Sequence, residues 1–309
     1  MAPKIDLREY IRQVKNGMMV EVSDEIIKKD LFLTFILAEF EKLGIGKEII
    51  FKGGTLLSRN YLQYHRFSED LDFIHKDSNL LREMTRSGSE RKIKKFLDYF
   101  TPGLKKVAEA LDMEFSADRS NKKFCTILPG KAVYTFKLYY ANSEYIKVEI
   151  NFIERIVNKP KEVTVKAITD FFDSKELMFI LGLKVENFKV LSYPIEEIIL
   201  EKYRAILTRK LLMERDLFDL YLIPDSLKVN IKNVVNKIES SSPIKRELKK
   251  TIAEKLDFLK ENRFFNSEEK IENLAIVKYN RQEFEKYKEK IKPILIDICE
   301  QFLKSKGAP

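Results

Sequence analysis

The 309-residue chain is 44% hydrophobic and 34% charged, a composition typical of a soluble globular protein with one large domain or two smaller ones. Its longest apolar run, residues 31–38, is too short to cross a bilayer, and its N-terminus lacks the basic-then-apolar pattern of a secretion signal, so we expect a cytoplasmic protein without a membrane partner. The net charge of +9 suits a polyanionic partner, and two cysteines, Cys125 and Cys299, are too few for a disulfide framework or a cysteine-based metal site.

The first part of the chain is predicted to contain helices, a short strand and a glycine turn. Residues 1–47 are predicted to be helical, and the apolar, β-branched segment 48–51 is typical of a strand. The strand stops at Gly53-Gly54-Thr55, and residues 55–65 contain neither glycine nor proline, which indicates a helix. Such a turn leaves backbone N–H groups at the positive end of a helix, where phosphates bind. An ordinary tight turn is the alternative, because two glycines by themselves are a weak signal.

The next segment holds two aspartates at strand spacing, Asp70 and Asp72. Side chains two apart in a strand face the same way, so the two carboxylates point together while Leu71 and Phe73 point into the core. Two such carboxylates repel each other unless a cation lies between them, and Mg²⁺ prefers carboxylate and phosphate oxygens. A solvated Asp-x-Asp is the alternative, but the glycine turn just upstream favours a site for a metal and a nucleotide.

The middle of the chain supplies a third carboxylate. Residues 133–140 and 145–152 alternate as two strands and are joined by a short segment that suits a hairpin. In the second strand, Glu149 shares the polar side with Lys147 and Asn151 and points away from the apolar face. Glu149 is therefore a candidate ligand for a second metal position, and a solvent-facing glutamate is the alternative interpretation.

Prolines, glycines and serines predict where helices end. We expect a helical segment near residues 87–111 to be broken at Pro102-Gly103. The breaks expected in the helical C-terminal part lie at Pro224, at residues 240–243, at residues 262–267 and at Pro293. Of the two histidines, we expect His75 to be a surface residue and His65 to lie at a helix end beside the aspartates.

The helix predicted after Pro194 carries a lysine among apolar side chains. Its apolar stripe consists of Ile195, Ile198, Ile199, Ile206 and Leu207. Lys202 falls within this stripe, so its ammonium must reach solvent, pair with an acid or meet a bound anion. Arg209 and Asp216 follow seven and fourteen residues later, near the same face. A buried ion-pair network, helped by Arg215 and Asp219 at helical spacing, is the structural alternative to an anion site.

These motifs together resemble the nucleotidyltransferase superfamily related to DNA polymerase β, and within it the AbiEii/AbiGii abortive-infection toxin family, which includes the mycobacterial MenT toxins. The resemblance is carried by three blocks: residues 51–58, residues 66–73, and residues 196–209 followed by residues 214–221. Together the blocks span about half the chain. It implies an α+β fold, with a nucleotidyltransferase-like mixed β-sheet core and flanking helices in residues 1–190. Residues 191–309 would form a mainly helical domain that closes over the nucleotide site.

The resemblance also implies a function. The chain would be a Mg²⁺-dependent nucleotidyltransferase, the toxin of a type IV toxin–antitoxin system, with Mn²⁺ as an alternative metal. It would transfer nucleotides from a nucleoside triphosphate to an acceptor hydroxyl such as the tRNA 3′ end, so RNA and a cognate antitoxin are the expected partners. The same residues also suit transfer to a protein or a small molecule, or a nucleotide-binding regulatory protein without turnover.

The site residues implied by the resemblance fall into three groups. The catalytic residues are Asp70, Asp72, Glu149, Lys202 and Asp216, and the metal ligands among them are Asp70, Asp72 and Glu149. The nucleotide-binding residues are Gly53, Gly54, Thr55, Ser58, Arg66 and Lys202. Asp219 either shares the role of Asp216 or braces Arg215.

Overall fold

The alternating apolar segments between residues 49 and 192 pair as strands of one mixed sheet. The computed structural model describes residues 7–18, 22–128, 130, 132–171, 188–227, 229–241, 245–265 and 269–305. Within these ranges the strands are β1 (Ile49–Lys52), β2 (Asp70–His75), β3 (Cys125–Ile127), β4 (Val133–Tyr139), β5 (Tyr145–Asn151), β6 (Lys161–Thr164) and β7 (Lys189–Ser192). Their order is β3-β4-β5-β2-β1-β7-β6, with β2 parallel to β5, β1 parallel to β7, and the other neighbours antiparallel.

The helices fall into two groups that match two compact units of the chain. The first unit comprises Met1–Ile153 and Pro160–Tyr193, and the second comprises Glu154–Lys159 and Pro194–Pro309. The first contains α1 (Leu7–Met18), α2 (Asp24–Leu43), α3 (Gly53–Leu56), α4 (Ser78–Glu83) and α5 (Arg86–Ala110). The second contains α6 (Ile195–Thr208), α7 (Glu214–Leu222), α8 (Ile231–Ser240), α9 (Lys245–Lys260) and α10 (Arg281–Lys304). None of the described helices is long and apolar enough to cross a membrane.

The core of the first unit lies between one face of the sheet and helices α2 and α5. Strands β4 and β5 bury alternate residues, as the sequence pattern predicts, and the ring of Phe136 lies 5.8 Å from that of Phe100 on α5. On β2 the rings of Phe73 and Phe40 stack at 5.6 Å, which packs the strand against α2. Leu71 and Phe73 are both buried, so the predicted orientation of β2 is confirmed, and the mixed α+β fold is confirmed with it.

Two predicted helix breaks are wrong, because α5 continues through Pro102 and α10 continues through Pro293. Each proline removes one backbone donor, but burial of an apolar helix face outweighs the loss of one hydrogen bond. In α5 the adjacent Gly103 has a packing role. A Cβ added there would lie 2.6 Å from Cγ2 of Ile45, so glycine allows the helix to approach that residue closely.

The prediction for His75 is also wrong, and the helix expected at residues 55–65 is shorter. His75 is buried on β2, where its ring packs edge-on against Phe96 at 4.9 Å, and this burial lowers the pKa of the imidazole. The helix after the glycines passes from α3 into a π-helical turn over Leu57–Tyr61, and then Tyr64 adopts a left-handed φ of 57°. A period-3.6 pattern predicts neither feature, since both depend on neighbours distant in sequence.

A buried ion pair anchors the π-helical turn to α2. Nη2 of Arg59 lies 2.8 Å from Oδ1 of Asp30, and Nη1 donates to Oγ1 of Thr34 at 2.9 Å. The hydroxyl of Tyr64 donates to the second oxygen of Asp30 at 3.2 Å. Both charged side chains are almost fully buried, so each depends on the other for its counter-charge.

Replacing Arg59 with methionine should lower the free energy of unfolding by about 3–5 kcal/mol, because Asp30 then keeps a buried charge without its cation. Urea denaturation measures the change. The matched control is Arg12→Met, which removes an arginine from an exposed pair with Glu9 on α1 and should leave the unfolding midpoint essentially unchanged. Equal midpoints for the two variants would contradict the anchoring role of Arg59.

Candidate active site

The glycine turn (Gly53–Thr55) is built around the side chains of the following loop and strand. Gly53 begins α3 with a left-handed φ of 83°, and a Cβ added there would meet the carboxylate of Asp72, whose own Cβ would be 2.9 Å away. A Cβ on Gly54 would lie 2.7 Å from Nη2 of Arg66. Gly53 therefore leaves room for Asp72 of the strand and Gly54 for Arg66 of the loop, so the turn and the carboxylates form one local unit.

Two hydroxyl groups bind this turn to the segment that leads into β2. Oγ1 of Thr55 donates to the carbonyl oxygen of Asp70 at 2.5 Å, and Oγ of Ser58 donates to the carbonyl oxygen of Arg66 at 2.5 Å. The buried guanidinium of Arg66 donates to the carbonyl of Phe67 at 2.8 Å. These three side chains were predicted to bind nucleotide, and in the structure their hydrogen bonds hold the backbone that presents Asp70.

Strand pairing brings the three predicted metal ligands to one face of the sheet. Strand β2 runs parallel to β5 with Asp70 opposite Lys147 and Asp72 opposite Glu149. Adjacent strands lie about 4.8 Å apart, and residues two apart in one strand face the same way. We call Asp70, Asp72 and Glu149 the carboxylate cluster. All three side chains are partly exposed at the centre of the sheet.

Two lysines, which the sequence prediction did not assign to the site, balance the carboxylate cluster. Nζ of Lys147 lies 3.1 Å from Oδ2 of Asp70 and 3.9 Å from Oε2 of Glu149. Lys52, the last residue of β1, pairs in register with Asp72 and is buried. The available signals were the alternation that puts Lys147 on the face of Glu149, and the position of Lys52 next to the glycine turn.

The pKa shifts at this site follow from burial and from these charges. Burial, and then the neighbouring carboxylate of Asp72, raise the pKa of Glu149 above its ordinary value. Burial alone would lower the pKa of Lys147, but the carboxylate cluster outweighs it and holds that pKa above its ordinary value. Lys147 is therefore charged across the neutral pH range.

The chemistry of the donor set fits Mg²⁺ or Mn²⁺ bound together with phosphates. Asp70 and Asp72 offer only oxygen atoms, and Mg²⁺ usually binds one or two carboxylates plus substrate phosphates and water. Across the described part of the chain, no group of three or more acidic, histidine or cysteine side chains is close enough to hold a metal ion. The residues thus suit an ion that a phosphate ligand helps to hold, and they do not form a closed protein cage.

In the second unit, Lys202 on α6 is buried and lies between two aspartates of α7. Its Nζ is 2.8 Å from Oδ1 of Asp216 and 2.5 Å from Oδ2 of Asp219, and Arg209 also pairs with Asp216. We call these four residues the Lys202 cluster. Burial alone would raise the pKa of Asp216, but Lys202 and then Arg209 hold it below its ordinary value. The expected pairing of Arg215 with Asp219 is replaced by an ion pair with Glu269 at 3.2 Å.

Comparisons with known proteins agree with the motifs. No protein of curated function matches the sequence. MenT4, a nucleotidyltransferase toxin from Mycobacterium tuberculosis H37Rv, is a similar solved structure, with a TM-score of 0.45 and 13% sequence identity over 94% of this chain and 98% of that one. The family model of the nucleotidyl transferase AbiEii toxin of type IV toxin–antitoxin systems matches residues 36–302, which include both the carboxylate and the Lys202 clusters. The chain therefore belongs to the AbiEii family of nucleotidyltransferase toxins.

Proposed function

We propose that this nucleotidyltransferase toxin uses Mg²⁺, with Mn²⁺ as an alternative, and transfers a nucleotide to the 3′ end of tRNA. The observation that carries the metal requirement is that the carboxylate of Asp72 occupies the space that a Cβ on Gly53 would fill, which joins the proposed metal ligand to the proposed phosphate-binding turn. The tRNA acceptor is supported by family resemblance. The expected setting is the cytoplasm, where nucleoside triphosphates, tRNA and a cognate antitoxin are found together.

The proposed reaction is an in-line displacement at the α-phosphorus of the nucleoside triphosphate. The acceptor oxygen forms a bond to the α-phosphorus, the bond to the bridging oxygen breaks, pyrophosphate leaves with that electron pair, and the hydroxyl proton is released to water. Asp70 and Asp72 would hold the metal ion, which when bound would supply positive charge to the phosphates. The N–H groups of the glycine turn orient the leaving pyrophosphate, and Thr55 and Ser58 hold that turn in place.

For the second unit, we assign Lys202 to the phosphates of the nucleotide and Asp216 to its orientation. The support is the resemblance of their motifs and the presence of a buried cation, Lys202, that is already neutralised by two aspartates. Residues 191–309 are accordingly proposed to contribute to nucleotide binding.

Replacing Asp70 with asparagine should lower nucleotide transfer more than about 100-fold. Mutation of a residue that only hydrogen-bonds to a metal ligand already lowers metal affinity or activity about 10- to 100-fold, and loss of a ligand itself should cost more. The measurement is incorporation of each labelled nucleoside triphosphate into total tRNA in the presence of Mg²⁺. The control is Asp77→Asn, just beyond the end of β2, which should transfer at the wild-type rate. Label on a protein instead of tRNA would indicate a protein acceptor. Wild-type protein that binds nucleotide without releasing pyrophosphate would contradict the proposed reaction.

Replacing Gly53 with alanine should strongly reduce transfer, because the new Cβ would displace the carboxylate of Asp72. It should also lower the free energy of unfolding by roughly 1–2 kcal/mol, the cost of a left-handed conformation for an L-residue. Gly46→Ala is the matched control, since a Cβ there meets nothing nearer than Cβ of Phe40 at 4.0 Å. Transfer assays and thermal unfolding of both variants test this prediction. Full activity of Gly53→Ala would show that the carboxylate of Asp72 does not need the space next to Gly53.

Replacing Lys202 with methionine should both destabilise the protein, by about 3–5 kcal/mol, and weaken nucleotide binding. The control is Lys237→Met, which removes another buried lysine of the second unit from its pairs with Glu154 and Glu197. Both variants should unfold earlier in urea. At a temperature where both remain folded, titration calorimetry with a nucleoside triphosphate should show weaker binding for Lys202→Met alone. Equal affinities in the two variants would give Lys202 a purely structural role.

A further inference from the structure

Lys147 occupies a defined position beside the carboxylate cluster. It lies on β5, a central strand, in register with Asp70 of β2 on one side and with Lys137 of β4 on the other. Its ammonium is 3.1 Å from Asp70 and 3.9 Å from Glu149, so it lies within ion-pair distance of both carboxylates. Lys137 is directed elsewhere, since its ammonium lies 4.8 Å from the ring centroid of Tyr145.

The order of the strands places the ammonium of Lys147 on the β5 side of Asp70, and the glycine turn on the β1 side. Strand β2 lies between β1, which ends in the glycine turn, and β5, which carries Lys147. A cavity of about 420 Å³ opens at the β5 side and is lined by Asp70 and Lys147, together with Lys29, Glu69 and residues of the β4–β5 hairpin. An in-line displacement places the attacking oxygen opposite the leaving group. If the pyrophosphate lies at the glycine turn, the acceptor hydroxyl therefore approaches from the side of Lys147.

This is the side on which two-metal enzymes hold their second cation. In such enzymes two ions about 3.5–4 Å apart stabilise the entering and the leaving oxygens separately. At this site the ammonium of Lys147 lies within ion-pair distance of Asp70 and Glu149, the carboxylates that would hold a second ion. An ammonium in that position supplies fixed positive charge to the attacking oxygen, and it excludes a metal ion from the same space.

We infer that Lys147 takes the place of the second metal, so that this protein binds a single divalent cation, at Asp70 and Asp72. The inference rests on the proposed metal-dependent transfer and replaces the expectation that Glu149 completes a second metal position. Glu149 then serves as the partner that holds Lys147 beside Asp70. Lys147 thus completes the positive charge of the site, and Glu149 is its positioning residue.

The test counts Mn²⁺ ions bound to the full-length protein, by electron paramagnetic resonance of free Mn²⁺ during titration with a non-hydrolysable nucleoside triphosphate present. The wild type should bind one ion per protein–nucleotide complex, held by Asp70, Asp72 and the phosphates together, and more tightly than free nucleotide binds it. Lys147→Met and Lys147→Gln should each bind a second ion, with an affinity at least tenfold higher than in the wild type. The control is Lys137→Met, which removes a lysine charge from the residue of β4 that pairs with Lys147. This variant should still bind one Mn²⁺ ion.

Each other outcome separates this inference from the proposed function. A wild-type count of two, or a count of one in both folded Lys147 variants, would overturn the role of Lys147 and leave metal-dependent transfer intact. A second ion in Lys137→Met would show a general charge effect and would also overturn it. A wild-type complex that binds its ion no more tightly than free nucleotide does would remove the metal site itself, and the proposed function with it.

Discussion

Repulsion within the carboxylate cluster is the constraint on which the first unit depends. Three negative charges share one face of two adjacent strands, and such an arrangement is unfavourable unless cations are close. Lys147 and Lys52 supply that charge from β5 and β1. The absence of a side chain on Gly53 leaves room for the carboxylate of Asp72, so the glycine turn and the carboxylate cluster cannot be varied independently. The ion pair of Arg59 with Asp30 then fixes the segment after the turn to α2.

The second unit uses the same principle inside a helical core. Besides the Lys202 cluster, Lys237 lies between Glu154 and Glu197, at 2.5 and 2.8 Å. Glu214 at the start of α7 pairs with Lys288 and Arg281, each at 2.9 Å. Each of these clusters is stable only when complete, because one missing partner leaves an uncompensated buried charge. The pair of Lys237 with Glu154 also explains why Glu154–Lys159 belongs with these helices, although β6 and β7 follow it in the chain.

Much of the fold could be predicted because its signals are local. Alternation over a few residues predicts the orientation of β2, β4 and β5, and the spacing of Asp70 and Asp72 puts both carboxylates on one face. The predictions that were wrong concern Pro102, Pro293 and His75. At each of these positions, packing against residues distant in sequence outweighs the preference that the local sequence indicates. Burial of apolar helix faces outweighs one lost hydrogen bond at each proline. Packing against Phe96 places the ring of His75 in the core, although a polar histidine in isolation is expected at the surface.

The sequence by itself determined the family, the α+β fold and the residue types of the predicted site, because each depends on short motifs with local spacing. Only the tertiary structure decided which side chains meet. The parallel pairing of β2 with β5 joins segments about 75 residues apart in the chain and sets Asp72 against Glu149 and Asp70 against Lys147. No periodicity specifies that register, since it results from the packing of the whole sheet on α2 and α5. That pairing makes Lys147 a counter-charge for Asp70.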